Sequence, residues 1–514
     1  MIAATKILQR LPLFNRMFGV DSEDGLQEIN SWPALMIASS FIWLAVAGLL
    51  GVAMPIIQRL ELGSDLFYMA LTAHGAALAF PFSFQLMAGI SLHRAGGCVG
   101  KPITGVLPAL IFISMNLGAA LLTVAILLGF SVSLVVMYPL PVVGVGTGQW
   151  SFNTLVLGFT GIALVLTMMI YLYPVQLLKM MFFGKKREDL ILSERTLDDP
   201  GMLGMVIAAL VLIVMGTPLM IIASYVLVAL YGIIPLDVVA WATKPVVFQF
   251  AFFTFAHNLM EAMALMVISG IYATLPLYLA DGTRELYSKR LANAALWILL
   301  ITSFSSFFHH FITLLPNLPA SLAYHGNIMS WGTGIGAALS IFTILATIWK
   351  HGLRREPGIM IALMGFVIYV MDGASALVTS NVAWSFQLHG TMWQSGHTMT
   401  VLIAMSMMWM GVLYHHYPVM TGRTLNPKLG NWFCVLFTAG ALSAGLVMLA
   451  GGAAGMPRRF ADWAQGGWAG YGDAILLTGL LMAVGLVIFA ANFMKSSKMK
   501  DVTSGAASAA EPAE

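Results

Sequence analysis

The sequence predicts an all-α, polytopic membrane protein of about twelve transmembrane helices, with both termini on the cytoplasmic side. Three observations carry this expectation. The chain is 59% hydrophobic and 9% charged, with a mean hydropathy of +0.87, a balance that excludes a soluble domain. Its apolar runs repeatedly reach the ~20 residues needed to cross the hydrocarbon core. Lysine and arginine fall on alternate connections, and the positive-inside rule then fixes the orientation.

The spans, in order, are 33–57, 65–92, 103–130, 152–182, 203–232, 245–278, 291–315, 321–349, 358–380, 386–414, 430–454 and 471–494. They form one membrane domain over 33–494, preceded by a cytoplasmic segment, 1–32, and followed by a tail, 495–514, whose small polar composition predicts disorder. The start, MIAATKILQRLPLFNR, has no small-residue cleavage site, so the first span is expected to be retained. The inner set of charges comprises Lys6, Arg10 and Arg16; Arg94 and Lys101; Lys185, Lys186 and Arg187; Arg284, Lys289 and Arg290; Lys350, Arg354 and Arg355; Arg423 and Lys428; and Lys495, Lys498 and Lys500. The outer connections over 131–151 and 316–320 carry no Lys or Arg. One outer loop carries an arginine pair, Arg458 and Arg459.

Several function classes drop out early. A net charge of +3, with no nucleotide-phosphate loop, gives no sign of nucleic-acid binding. The two cysteines, Cys98 and Cys434, form no CxxC pair, which argues against an iron–sulfur cluster, a covalent heme attachment site or a thiolate copper centre.

Polar residues inside such spans are costly and mark function. Span 2 carries His74 about ten residues in, and span 6 carries His257 and Glu261 four residues apart, on one helix face. Span 7 carries the adjacent pair His309–His310, about six residues before its outer end. As an α-helix it would splay the two by about 100°, so both reach one metal only if it lies between them. Span 9 carries Asp372, a relay or a cofactor contact. Span 10 opens on HGTMWQSGHTM, residues 389–399, in which His397 and Met399 point to opposite sides of one helix, about 200° apart. At about 1.5 Å per residue these five deep histidines share the outer half of the bilayer. Three neutral imidazoles suit copper, iron or zinc, and an added carboxylate shifts the preference toward iron. His93, His351, His415 and His416 fall at inner span ends, as interfacial residues do; Ser269, Thr274, Tyr324 and Ser330 suit either helix packing or a proton route.

Twelve spans with histidines in spans 2, 6, 7 and 10 resemble subunit I, the catalytic subunit, of the heme–copper oxidase superfamily. HGTMWQSGH is similar to the span-10 entry of B-type oxidases, LTAHGAALA to the low-spin heme segment of span 2, and GMPRRF to the loop whose arginine pair holds heme propionates. The resemblance implies the heme–copper oxidase fold and two hemes, one low-spin and one high-spin, with b-type expected, beside one non-heme metal, copper or iron. By position, His397 would be the axial ligand of the high-spin heme. His257, His309 and His310, with Glu261, would hold the second metal. His74 would bind the low-spin heme, Arg458 and Arg459 the propionates, and His389 would lie near them or serve structure alone.

Two departures from the oxidase pattern point to function. Met399 stands where the family places a second span-10 histidine, and methionine can ligate iron opposite histidine; if it is packing instead, the low-spin site is altered. Glu261 stands four residues after His257, where oxidases place their redox tyrosine, and residues 291–315 contain no tyrosine. The chain is therefore most similar to an oxidase-derived nitric oxide reductase of the sNOR type. The implied reaction joins two NO into N2O, and the alternative is a divergent terminal oxidase reducing O2 to water, for which Tyr272, the nearest deep tyrosine in sequence, lies too far from Glu261, about 16 Å along the axis. A third reading is a twelve-span secondary transporter with a His–Glu proton relay. The resemblance also implies a partner subunit carrying the electron-entry centre, CuA-like or cytochrome c, and a bacterial or archaeal inner membrane.

Overall fold

A computed structural model describes residues 7, 10, 12–18, 26–99, 103–130, 151–182, 198–242, 244–314, 319–462 and 467–498. Within these, twelve helices are long and apolar enough to span a membrane: α1 Ser31–Arg59, α2 Ser64–Gly97, α3 Val106–Leu127, α4 Phe152–Phe182, α5 Pro200–Leu230, α6 Val246–Tyr278, α7 Lys289–Thr313, α8 Ala320–His351, α9 Pro357–Ser380, α10 Met392–Thr421, α11 Pro427–Ala453 and α12 Ala469–Met494. The expected twelve spans are all present, and the fold is all-α. Most of the outer loop over 131–151, residues 316–318, the inner Lys185, Lys186 and Arg187, as well as Lys6, Lys101 and the tail from 499 onward, lie outside the described residues.

The helices pack in sequential antiparallel pairs, α1 with α2, α3 with α4, α5 with α6, α7 with α8, α9 with α10 and α11 with α12, and α12 returns to α1. Three helices sit deepest. The most apolar windows of α2, α6 and α10 are 83%, 83% and 72% buried, against 17% for α12. An apolar helix gains little from being enclosed by protein rather than lipid. The enclosed three are those that carry His74, His257 with Glu261, and His397 with Met399. Their histidines and Glu261 account for the arrangement, because in lipid such polar groups must be paired or ligate.

Local breaks aim these side chains. In α2 a π-helical turn, Leu78–Phe84, surrounds Pro81, which cannot donate the usual backbone bond. In α7 the turn Phe307–His310 is a 3-10 helix, so the paired histidines step by about 120° rather than 100°. The predicted span 386–414 is not one helix. A short helix, Val382–Leu388, ends before His389, and α10 starts at Met392, capped by Thr391, whose hydroxyl oxygen accepts the Trp393 N–H at 3.2 Å. His389 therefore lies in a turn above α10. Helices α9 and α10 approach closely at Gly411, where a Cβ would stand 2.4 Å from the Ala362 nitrogen; only glycine permits that approach.

On the opposite face, Arg423–Thr424 pairs antiparallel with Ser497–Lys498, tying the α10–α11 connection to the end of α12.

Candidate functional site

Three histidines meet where α6 faces the 3-10 turn of α7. One nitrogen from each of His257, His309 and His310 lies within 4.8 Å of the others. The ring centroids of His257 stand 5.1 Å from His309 and 5.6 Å from His310, and the paired rings are 4.3 Å apart. The hydrogen bonds select the free atoms. His309 Nδ1 pairs with Ser330 Oγ at 2.9 Å, and His310 Nδ1 faces His389 Nε2 at 3.5 Å, which leaves both Nε2 atoms free. His257 Nδ1 is buried without a hydrogen-bond partner. A buried, orphaned imidazole nitrogen is expensive, and a bound cation would satisfy it. The donor set fits a metal that accepts neutral imidazoles, copper or iron among them.

Ser330, expected as packing or channel lining, instead orients a candidate ligand from α8. Its helix can approach because an added Cβ on Gly326 would meet the His309 nitrogen at 2.2 Å.

A continuous cavity of about 680 Å³ runs from this cluster through the centre of the bundle, and His74, Glu261, Asp372, His397 and Met399 line it. Its volume is in the range of cofactor sites. His74 Nδ1 donates to the Ala47 carbonyl at 2.8 Å, so Nε2 is the atom left for a ligand. His397 Nδ1 lies 3.2 and 3.1 Å from the two carboxylate oxygens of Asp372, which frees its Nε2 likewise. An imidazole fixed at Nδ1 by a backbone or carboxylate partner is how proteins present Nε2 to a metal. Both sites thus fit a heme, whose iron His74 and His397 would each meet through Nε2. Glu261 lies within electrostatic range of His397, but it is outside the three-histidine group that could share one ion.

The arginine loop closes the cavity at the end nearest the α10 N-terminus. The Met392 N–H donates to the Met456 carbonyl at 2.7 Å and the Arg458 N–H to the Gly390 carbonyl at 3.2 Å. The Tyr68 hydroxyl donates to the Arg459 carbonyl at 3.1 Å. Arg459 takes φ 57°, a strained conformation for a non-glycine residue, and Arg458 and Arg459 both line the cavity. Burial, then the neighbouring Arg458, lowers Arg459 to about 10, a setting that favours an anion between them. His389, 4% exposed, accepts or donates to Thr313 Oγ1 at 2.9 Å through Nδ1. Burial, then Arg458 and Arg459, pushes it down to about 4.

The inner histidines are less peripheral than their positions predict. The His93 and His416 rings lie 5.2 Å apart and those of His415 and His416 4.9 Å apart, and the Tyr278 hydroxyl meets His415 Nδ1 at 3.0 Å. His351 alone pairs at the surface, with Asp281 at 2.6 Å. The sequence reading also missed Tyr369, which lines the cavity within electrostatic range of Glu261 and Asp372. Its place three residues before Asp372 was the available signal. Tyr272, the tyrosine singled out from sequence, is buried elsewhere in the core.

A family model described as cytochrome c and quinol oxidase polypeptide I matches residues 33–495. An alternative cytochrome c oxidase subunit 1 from Bradyrhizobium diazoefficiens is 27% identical over 224 residues, which are 42% of this chain and 36% of the relative. A quinol oxidase subunit 1 from Bacillus subtilis is 26% identical over 216 residues, 41% of this chain and 33% of the relative. The matched stretches thus span about a third of these relatives' length. A solved heme-copper terminal oxidase dimer shares the fold, with a TM-score of 0.74 at 17% identity, covering 94% of this chain and 86% of that one.

Proposed function

This chain belongs to the family of cytochrome c and quinol oxidase polypeptide I, a multi-pass membrane family of the heme-copper oxidase superfamily, and on that premise we propose that it is the catalytic subunit of a membrane nitric oxide reductase. The transporter reading falls with that membership. The reaction is 2 NO + 2 e⁻ + 2 H⁺ → N2O + H2O. The observation that carries the proposal is Glu261. It lines the cavity four residues after His257, where an oxidase needs a tyrosine, and α7 has none. Reducing O2 at one site takes four electrons promptly, and a tyrosine supplies one of them; joining two NO takes two, so no such donor is needed.

In this reading His257, His309 and His310 hold the second metal, His397 the high-spin heme, and His74 with Met399 the low-spin heme. When bound, the high-spin heme and the second metal supply the two electrons and the two places where NO binds. Glu261 passes protons to the oxygen that leaves as water, a role that needs a carboxyl within reach of the reacting atoms. Arg458 and Arg459 neutralise the propionates, and the apolar cavity wall keeps bulk water out. Electrons enter from a partner subunit, on the arginine-loop side of the membrane.

The test is Glu261→Gln, which keeps shape and removes the transferable proton. NO turnover should fall by about 10²–10⁴, the usual worth of positioned proton transfer, with both hemes retained. Unchanged turnover and metal content would remove Glu261 from the mechanism.

One observation favours a terminal oxidase instead. Tyr369 lines the cavity near Glu261 and offers a phenol of the kind O2 reduction needs. A Tyr369→Phe variant separates the two: loss of O2 reduction supports the oxidase, whereas undiminished NO turnover supports the reductase.

A further inference from the structure

The cavity wall carries a buried carboxylate that no step above uses. Asp372 on α9 is 1% exposed, and both its oxygens face one nitrogen, His397 Nδ1, at 3.2 and 3.1 Å. The Ser375 hydroxyl completes its surroundings, at 3.3 Å from Oδ1 and 2.8 Å from the Asp372 carbonyl. A carboxylate only accepts, so the shared proton is the Nδ1–H of His397, and Nε2 keeps the lone pair that faces the cavity.

We propose that Asp372 is a positioning residue for the heme ligand His397: its hydrogen bond locks the Nδ1–H tautomer and makes Nε2 a more electron-donating ligand. Carboxylate partners raise the basicity of ligating imidazoles in this way. In water such a pair would be screened; in an apolar wall its effect on the ring is strong. A more basic ligand stabilises the oxidised iron over the reduced, so the high-spin heme is held at a lower potential than a neutral partner would give. Ser375 moderates the effect, since its hydroxyl withdraws charge from one carboxylate oxygen.

The inference rests on the assignment of His397 as a heme ligand and is independent of whether NO or O2 is reduced. The experiment uses the purified, heme-loaded complex and reads the midpoint potential of the high-spin heme and its iron–histidine stretching band. In Asp372→Asn the reduction equilibrium should shift about tenfold toward the reduced form, a rise of about 59 mV for one electron, and the stretching band should move to lower frequency. The low-spin heme should keep its potential. In Ser375→Ala both readouts should move the opposite way, by a smaller amount. A purely structural role would not give opposite signs, and Ser375→Ala keeps the test available if Asp372→Asn does not assemble. Unchanged potential and band in either folded variant would overturn the proposal. His397→Ala separates the premise: retention of the high-spin heme there would overturn the ligand assignment itself.

Discussion

Replacing Gly326 with alanine would strike the proposed metal centre without touching any of the three histidines proposed to hold it. A Cβ at this position stands 2.2 Å from the His309 nitrogen and 2.6 Å from the Phe308 carbonyl carbon. Ordinary contact begins near 3.4 Å, so α8 and the 3-10 turn must separate by about 3.4 − 2.2 = 1.2 Å at that point. The obstructing atoms are backbone, so no rotamer change relieves them. Overpacking of this kind costs about 1–3 kcal/mol, which a twelve-helix bundle can absorb. The metal site cannot, because ligand distances tolerate only about 0.2 Å. The Ser330 hydroxyl, one turn along the same helix and 2.9 Å from His309 Nδ1, would be carried away as well. Gly326→Ala is therefore expected to assemble with both hemes and to lose most of its non-heme metal. Ser330→Ala, which removes only the hydrogen bond, should weaken metal binding by about 10–100-fold. Elemental analysis per heme, read beside the reduced visible spectrum, measures both. A full complement of non-heme metal in folded Gly326→Ala would refute the reasoning.

The remaining expectations concern the low-spin heme and the surface. In Gly51→Ala the new Cβ would stand 2.9 Å from His74 Cε1, re-aiming the ring and straining its bond to the Ala47 carbonyl. Low-spin heme occupancy should drop while the high-spin signal stays; an unchanged low-spin band would exclude His74 as its ligand. Met399→Leu should convert the low-spin spectrum, and Met399→His should restore it at a lower potential, since methionine opposite histidine raises potential; a Met399→Leu spectrum identical to the parent would assign Met399 to packing. At the bundle end away from the arginine loop, hydrogen bonds from the Thr283 side chain and backbone, then from His351, hold Asp281 at about 2. A depressed carboxylate stabilises the fold above its unfolded value near 4 and loses that contribution as pH falls toward about 2. Asp281→Asn should therefore flatten the acid limb of the thermal-stability profile; an unaltered limb would contradict the assignment.

The spans were legible because crossing lipid demands a long apolar run, and the histidines stood out because lipid makes them costly. Those two rules place the five deep histidines in one layer of the bundle; the family resemblance is what groups His257, His309 and His310 at one metal and sets His74 and His397 at the hemes. Other features depend on what a helix meets across the bundle, and local pattern does not carry that. Thr391 reads as one more polar residue until it caps α10 and puts His389 outside the span. Ser330 and His309 are 21 residues apart, and Asp372 and His397 are 25 apart. Their pairing follows from how α8 and α9 dock. Asp372 did leave a trace: a second intramembrane carboxylate at ligand depth requires a partner, and His397 was available. The position of Tyr369 had the same kind of signal, on the helix face that Asp372 turns to the cavity.

We propose that Glu261 and the three histidines serve the joining of two NO molecules. This is tested most directly by giving the purified, reduced complex isotopically labelled NO without oxygen, and O2 in a parallel run. One labelled N2O should form for every two NO consumed, with slower O2 reduction. Brisk reduction of O2 to water with NO left untouched would contradict it.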